Sequence, residues 1–324
     1  MRLTTNELNI AKKAKSFLLC NGCLFGKDKN GVFFFIRQLN NIEKNVCVEF
    51  SISKSCYAVY DFDSICNIKE NTLTINGKEI SCYKHDFHLR FIENEKAFDA
   101  LVLTDIEKMY LCSLFSYKKN ERNRDCLKCV YIAQNTLVAT DARRLIYTTV
   151  ENNLKEFDSV LLDVDLLPYA QDGDILHYNI SQGNGGEMIK DKDGNIKAFS
   201  LYCETHFPNW KGVLFGSEKL TSFDIDVKAL DTAIKASVKK EDIYFDSTCY
   251  QIIDGIKNEL PFVFACPQCL RFDYDYLTDL VKVAKKAKVK TITLSFVPKD
   301  TTKAIKTEWK IGDYTALVMT ECTD

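Results

Sequence analysis

The sequence predicts an α+β protein made of three similar units in series, each a helix followed by runs of short strands. Three observations carry this. Amphipathic helical patterns open at Thr5, Thr104 and Asp226, at intervals of about 110 residues. Each is followed by short apolar runs rich in β-branched and aromatic residues and bounded by turn residues. Only 5 prolines and 13 glycines in 324 residues leave little room for long linkers or low-complexity tails. A chain of this length holds two or three hydrophobic cores rather than one. Boundaries are expected near residues 95 and 215, giving units 1–95, 96–215 and 216–324. The repeat is one of pattern, without obvious sequence identity.

In the first unit, residues 5–18 read as a helix, with Leu8, Ala11, Ala14, Phe17 and Leu18 along one stripe and Lys12, Lys13 and Lys15 on its other side. Strand-like runs follow at 31–39, 46–52, 72–75 and 79–83. Asn76-Gly77 joins the last two as a hairpin signal. In the second unit, Thr104-Asp105-Ile106-Glu107 is a capping box. It heads a helix running to about Tyr117, with Ile106, Met109, Tyr110 and Leu114 expected inward. Strands are expected at 130–133, 136–139, 145–150, 174–181 and 196–203. A short helix at 163–170, interrupted by Pro168, sits among them, and residues 190–195 form a hairpin turn. The third unit opens near Asp226, with Val227, Leu230, Ile234 and Val238 inward and Lys228, Lys235, Lys239 and Lys240 outward. A helix over 274–287 follows, for which Asp273 or Asp275 supplies a cap. Strands at 291–297, 304–310 and 314–320 end the chain.

The composition, 46% hydrophobic and 27% charged, is that of an ordinary globular protein. A formal net charge of −2 argues neither for nor against nucleic acid, because phosphate contact depends on local potential. The first residues lack an apolar h-region, and no stretch approaches a membrane span. With 14 cysteines, the expectation is a reducing, intracellular compartment and mostly free, buried thiols. Three Cys-x-x-Cys pairs, Cys20/Cys23, Cys126/Cys129 and Cys266/Cys269, admit two readings: a zinc or redox site, or structural cysteine. The pairs are far apart in sequence and no His sits at ligand spacing, so structural cysteine is expected, with no metal and no cofactor.

No enzyme site emerges. The four histidines are His85, His88, His177 and His206; the His85/His88 spacing in a strand-like context sends the rings apart. There is no Gly-rich phosphate loop, nucleophile elbow or His-Glu-x-x-His. The acidic pairs Asp61/Asp63 and Asp273/Asp275 are explained by capping or solvation before Mg²⁺. Lysines on helices are ordinarily a solvated face. Residues 276–290 are more pointed, with five lysines (282, 285, 286, 288 and 290) against the single acid Asp279. Such a helix can face a phosphate backbone without reading bases.

Two segments remain. Ala139-Thr140-Asp141-Ala142-Arg143-Arg144-Leu145 ends a strand-like run and sets two arginines beside an apolar residue; Phe207-Pro208-Asn209-Trp210 follows another such run. Together they suggest a groove with an apolar floor and a cationic rim, suited to a peptide. The first segment resembles the Ala-Thr-Asp-Gly-His-Arg-Leu motif of bacterial DNA polymerase III beta subunits, the sliding clamps. Phe207-Pro208-Asn209-Trp210-Lys211-Gly212-Val213 is similar to that family's Phe-Pro-Asp-Tyr-Arg-Arg-Val. Phe272-Asp273-Tyr274-Asp275-Tyr276-Leu277 is similar to its Phe-Asn-Val-Ser-Tyr-Leu/Val, and the end of the 314–320 strand, Leu317-Val318-Met319-Thr320, to its terminal Val-Val-Met-Pro. The matches cover about residue 96 to the C-terminus; the first unit matches in pattern only and looks shortened.

The resemblance implies the DNA clamp fold: three similar domains, each with helices on one face of curved antiparallel sheets, and two chains closing head-to-tail into a ring. It implies a non-catalytic processivity factor in the bacterial cytoplasm. The ring encircles double-stranded DNA without reading sequence and tethers a polymerase and clamp loader through short peptide motifs, with no membrane. The peptide pocket between domains two and three would be lined by Leu127, Thr140, Ala142, Arg143, Arg144, Leu145, Pro208, Val213, Leu317 and Met319, with Tyr276, Met319 and Thr320 bordering a neighbouring subsite. Lys12, Lys13, Lys15, Lys235, Lys239, Lys282, Lys285 and Lys286 would face DNA. The sequence departs from the pattern: Ala142 stands for Gly, Arg143 for His, Gly212 for the second Arg, and Glu321-Cys322-Thr323-Asp324 for Met-Arg-Leu. These departures suggest altered peptide preference, as in a divergent clamp from a phage or other mobile element. The alternative is a clamp-fold adaptor or decoy that binds replication proteins without closing a ring.

Overall fold

A computed structural model of the chain describes residues 2–43, 46–69, 71–84, 99–117, 125–156, 158–179, 186–201, 206–262, 266, 268–298 and 303–322. In chain order, α1 (Thr5–Ala11) precedes β1 (Ser16–Cys20), β2 (Cys23–Lys27), β3 (Phe33–Gln38), β4 (Cys47–Phe50), β5 (Thr72–Ile75), β6 (Lys78–Lys84) and β7 (Asp99–Val102). Next come α2 (Ile106–Ser113), β8 (Cys129–Ala133), β9 (Thr136–Thr140), β10 (Arg144–Thr149), β11 (Ser159–Asp163), β12 (Ile175–Asn179), β13 (Gly186–Lys190) and β14 (Ile196–Leu201). The last third holds β15 (Thr221–Asp226), α3 (Val227–Ala236), β16 (Ile243–Phe245), β17 (Cys249–Ile253), β18 (Ile256–Glu259), β19 (Leu270–Phe272), α4 (Tyr274–Lys286), β20 (Thr291–Phe296), β21 (Lys306–Ile311) and β22 (Tyr314–Met319). Few helices and antiparallel sheets make the chain α+β.

The chain folds as two compact units. The first, Met1–Ile106 with Asp165–Thr205, holds one ten-stranded sheet in the order β5-β6-β4-β1-β2-β3-β14-β13-β12-β7. Its centre is β1, buried along its whole length. Phe17 packs against Phe50, Tyr57 and Phe62 on one face. Leu18 and Cys20 pack with Phe25, Phe33, Met188 and Phe199 on the other. This explains why the helix expected over 5–18 stops at Ala11: a strand buried on both faces is a continuous apolar run, which helical periodicity imitates. The short helix is held by a capping box, Thr4 Oγ1 accepting the Glu7 N–H and Glu7 Oε2 accepting the Thr4 N–H. Asn76 (φ 51°) and Gly77 (φ 73°) form the expected turn between β5 and β6.

The second unit, Glu107–Val164 with His206–Asp324, holds an eight-stranded sheet (β11-β8-β9-β10-β22-β21-β20-β15) and a four-stranded sheet (β18-β17-β16-β19). Strands from residues 129–163 and 221–319 therefore share one sheet, across the boundary expected near 215. Asp226 caps α3 through the Ala229 N–H at 2.7 Å, and Asp273 caps α4 through the Asp275 and Tyr276 N–H groups. Helix α4 buries Leu277, Leu280, Val281, Val283 and Ala284, together with the carboxylate of Asp279.

Two inward assignments and one helix start need correction. Val238 is 73% exposed because α3 ends at Ala236, so the 3.6-residue stripe no longer applies. Tyr110 is exposed, and Leu111 and Cys112 are buried with Met109 instead. Asp105 takes a left-handed φ of 55°, so α2 opens at Ile106, whose N–H donates to Asp172 Oδ1 at 2.9 Å. The helix expected around Pro168 is a 3-10 turn, Val164–Tyr169. His85 and His88 lie outside the described residues.

Candidate functional site

The turn between β9 and β10 is built by its own side chains. Asp141 Oδ1 accepts the N–H groups of Arg143 and Arg144 at 3.0 and 2.9 Å. Thr140 Oγ1 accepts the Ala142 N–H and donates to the Arg144 carbonyl at 2.6 Å. These local bonds are what make Asp and Thr good turn formers. Ala142 sits at φ 77°, a region that disfavours any residue with a Cβ.

Register then brings in the end of the chain. Strand β10 pairs with β22, setting Arg144 opposite Val318 and Leu145 opposite Leu317. The Met319 N–H donates to the Arg143 carbonyl at 3.1 Å. Strand β21 pairs with β22 on its other side and sets Lys306 opposite Met319. The segment from Phe207 packs over this surface, Phe207 stacking on Tyr131 and Trp210 lying against Tyr147, above Val138, Leu145 and Leu317.

The result is a cavity of about 270 Å³ lined by Thr140, Ala142, Arg143, Arg144, Leu145, Pro208, Asn209, Trp210, Val213, Lys306, Leu317 and Met319. That is below the roughly 300–1,000 Å³ that encloses a drug-sized ligand, so it suits one or two apolar side chains. All lining residues belong to the second compact unit. Nine of the ten residues expected in the main subsite line it, Leu127 being the exception; Tyr276 and Thr320, expected at a neighbouring subsite, lie outside its lining. Leu127 is buried in a 3-10 turn, and Thr320 is spent joining residue 305 through its N–H and its Oγ1. Tyr276 lies behind the cavity with its ring 4.4 Å from the Arg144 guanidinium. Burial first, then Asp141, pushes its hydroxyl up to about 12. Asn209, Trp210 and Lys306 escaped the sequence assignment. Trp210 was signalled by its place in the motif, whereas Lys306 has no local signal and arrives by register alone.

The two adjacent arginines divide the work. The Arg144 side chain is 3% exposed. It donates to Asp141 Oδ2, Asp279 Oδ2 and the Leu114 carbonyl, between the rings of Phe115 and Tyr276. It is therefore an internal tie, and the expected rim of two arginines reduces to Arg143. The Arg143 side chain is 69% exposed and meets Glu321 Oε1 at 3.3 Å. Lys306 is spent on the carbonyls of Val213 and Leu214 and on the Phe215 ring.

The lysines expected to face DNA behave unevenly. Lys12, Lys13 and Lys15 are exposed around the end of α1. Lys235 and Lys285 converge on Asp231 at 2.8 and 2.6 Å, linking α3 to α4. Burial alone would raise the Asp231 carboxyl, but those two hydrogen bonds outweigh it and hold it below the usual range. Lys282 pairs with Asp279, Lys239 with Asp254 and Lys286 with Glu107. Cys20 and Cys23 lie opposite each other at the β1–β2 turn, and Cys266 is buried beside half-buried Cys269. Among the described residues, no three His, Cys, Asp or Glu side chains are placed to hold a metal ion, and no helix is long and apolar enough to cross a membrane.

Neither a protein-family model nor a curated protein sequence matches this chain. Solved structures do. The DNA polymerase sliding clamp from Bacillus subtilis superposes with a TM-score of 0.62 at 12% identity, covering 98% of this chain and 96% of that one. The Thermotoga maritima DNA polymerase III beta subunit gives 0.59 at 17% identity, covering 99% of each. The Helicobacter pylori beta clamp bound to a DNA ligase peptide gives 0.61 at 11% identity, again covering 99% of each. The chain thus has the fold of a sliding clamp along nearly its whole length, at an identity that shows the fold alone.

Proposed function

We propose that this protein is a sliding clamp: two chains close head-to-tail around duplex DNA, and the cavity beside Leu145 and Leu317 takes short peptides from a polymerase, a clamp loader and other partners. It acts in the bacterial cytoplasm by binding rather than by catalysis. The observation that carries the reading is full-length likeness to clamps combined with an apolar cavity lined by residues of three of the four clamp-like segments, 139–145, 207–213 and 314–320. A related fold, the Helicobacter pylori clamp, is found with a ligase peptide bound, which supports a peptide as guest. On this reading the chain is three domains, 1–95, 96–215 and 216–324, whose sheets run on across the boundaries. The lysines of α3 and α4 meet phosphates weakly, and topology rather than affinity keeps the ring on DNA. Exposed Ile256 on β18, at the end of the four-stranded sheet, offers apolar surface for a second chain.

The test is retention after loading on nicked circular against linear DNA. A ring stays on circles and leaves linear ends; equal loss from both contradicts it. The second reading is a clamp-fold adaptor that binds replication proteins without closing. It draws support from the carboxylate partners of Lys235, Lys239, Lys282, Lys285 and Lys286, which weaken attraction to DNA. Light scattering separates the two: twice the 37.1 kDa chain mass supports the ring, and a monomer supports the adaptor.

A further inference from the structure

We infer that the cavity selects peptides carrying a carboxylate next to their apolar anchor, which docks on Arg143 by displacing Glu321. The inference rests on the peptide-pocket reading and deepens it. The guest is a short segment of a partner protein: one or two apolar side chains fill the cavity, and a Glu or Asp beside them reaches the rim.

Charge accounting at the rim leads there. Three cationic side chains line the cavity, and two are committed. Arg144 is buried on Asp141 and Asp279, and Lys306 caps the Val213 and Leu214 carbonyls. Arg143 is mostly exposed, and its contact with Glu321 is one N–H···O at 3.3 Å out of five donors. An exposed pair of that kind is held weakly. A bidentate carboxylate brought in by an anchored peptide binds the same fork better.

Glu321 is placed to give way. Its backbone is fixed to β19: its N–H donates to the Arg271 carbonyl at 2.8 Å, and Arg271 Nη1 donates to the Cys322 carbonyl at 2.9 Å. The side chain can therefore swing off Arg143 without unzipping the strand, and it remains beside a second arginine. While in place, Glu321 repels acidic guests that lack an apolar anchor, so charge alone does not open the site. The rim discriminates by requiring both features at once.

The test is fluorescence anisotropy with the full chain and amidated, N-acetylated hexapeptides. Each carries two apolar residues, in every pairing of Leu, Ile and Phe, flanked by Glu or by Gln. The expected result is that the best Glu peptide binds roughly fivefold tighter than its Gln twin, a preference the size of one exposed ion pair. Arg143→Gln brings the ratio to about one. Glu321→Gln strengthens the Glu peptide and leaves the Gln peptide unchanged. Val213→Trp, at a half-exposed lining position, closes the cavity to both. Equal binding of Glu and Gln twins, with both blocked by Val213→Trp, overturns the charge rule and keeps the pocket. Binding of no peptide, or binding indifferent to Val213→Trp, overturns the pocket reading and this inference with it.

Discussion

Arg144 and Asp279, 135 residues apart in sequence, form a 2.9 Å ion pair with side chains 3% and 2% exposed. The pair ties the first residue of β10 to the middle of α4, directly behind the cavity. Burying two charges is costly, and this site offsets the cost by satisfying both. Arg144 has three hydrogen-bond acceptors and two aromatic faces, and Asp279 also accepts from Lys282. Removing Arg144 leaves Asp279 buried and short of the guanidinium on Oδ2, with Lys282 still on Oδ1. Arg144→Met is expected to destabilise the protein by about 3 kcal/mol or more, read from the denaturant midpoint of the full chain. A loss below about 1 kcal/mol would mean that Asp279 is rescued by Lys282 alone.

Ala142 occupies a left-handed conformation that glycine adopts without a steric cost. Ala142→Gly is therefore expected to raise stability by the roughly 1–2 kcal/mol that the left-handed conformation costs a residue with a Cβ, less the roughly 0.4–1 kcal/mol that the unfolded chain gains in freedom. Thermal unfolding measures it. A clear loss would show that the Ala142 methyl contributes to the cavity wall more than its backbone strain costs.

Asp231 neutralises Lys235 and Lys285 together. If these helices face DNA, Asp231→Asn frees two cations. Binding to duplex DNA at low salt should then strengthen, and the slope of log affinity against log salt should steepen by about one to two. An unchanged slope places this helix face away from the phosphates.

Acid sensitivity follows from the same carboxylate. Asp231 is held below the usual range despite burial by Lys235 and Lys285, and Asp246, also despite burial, by the Thr248 N–H at 2.7 Å and by Lys257. For such groups the unfolded chain takes up protons first. Their contribution is therefore complete above the ordinary carboxylate value near about 4 and disappears as pH falls through the lower folded values. The unfolding midpoint should be level near neutrality and fall below about pH 4, less steeply in an Asp231→Asn, Asp246→Asn double variant. A midpoint that climbs on acidification contradicts the assignment.

Much of the fold and most of the cavity are legible in the sequence where the responsible residues are neighbours. Thr4 and Glu7 cap α1, Asp226 and Asp273 cap α3 and α4, and Asn76-Gly77 turns a hairpin. Asp141 and Thr140 shape the turn that presents Arg143. Each is a bond between residues two to four positions apart, so a local motif specifies it. Misreadings arose where burial on both faces erased periodicity, as at β1, or where a helix stopped short, as before Val238.

What the sequence by itself determined is this local chemistry, the α+β class and the residues of the cavity floor. Only tertiary structure decided which of two adjacent arginines is buried, that Lys306 reaches the cavity, and that Glu321 closes on Arg143. Arg144 opens β10 and reaches Asp279 on α4, whereas Arg143 stands in the turn before the strand and stays exposed. The β10–β22–β21 register then joins positions more than 150 residues apart. Neither effect leaves a mark within a short stretch of chain, because both depend on which distant element lies alongside.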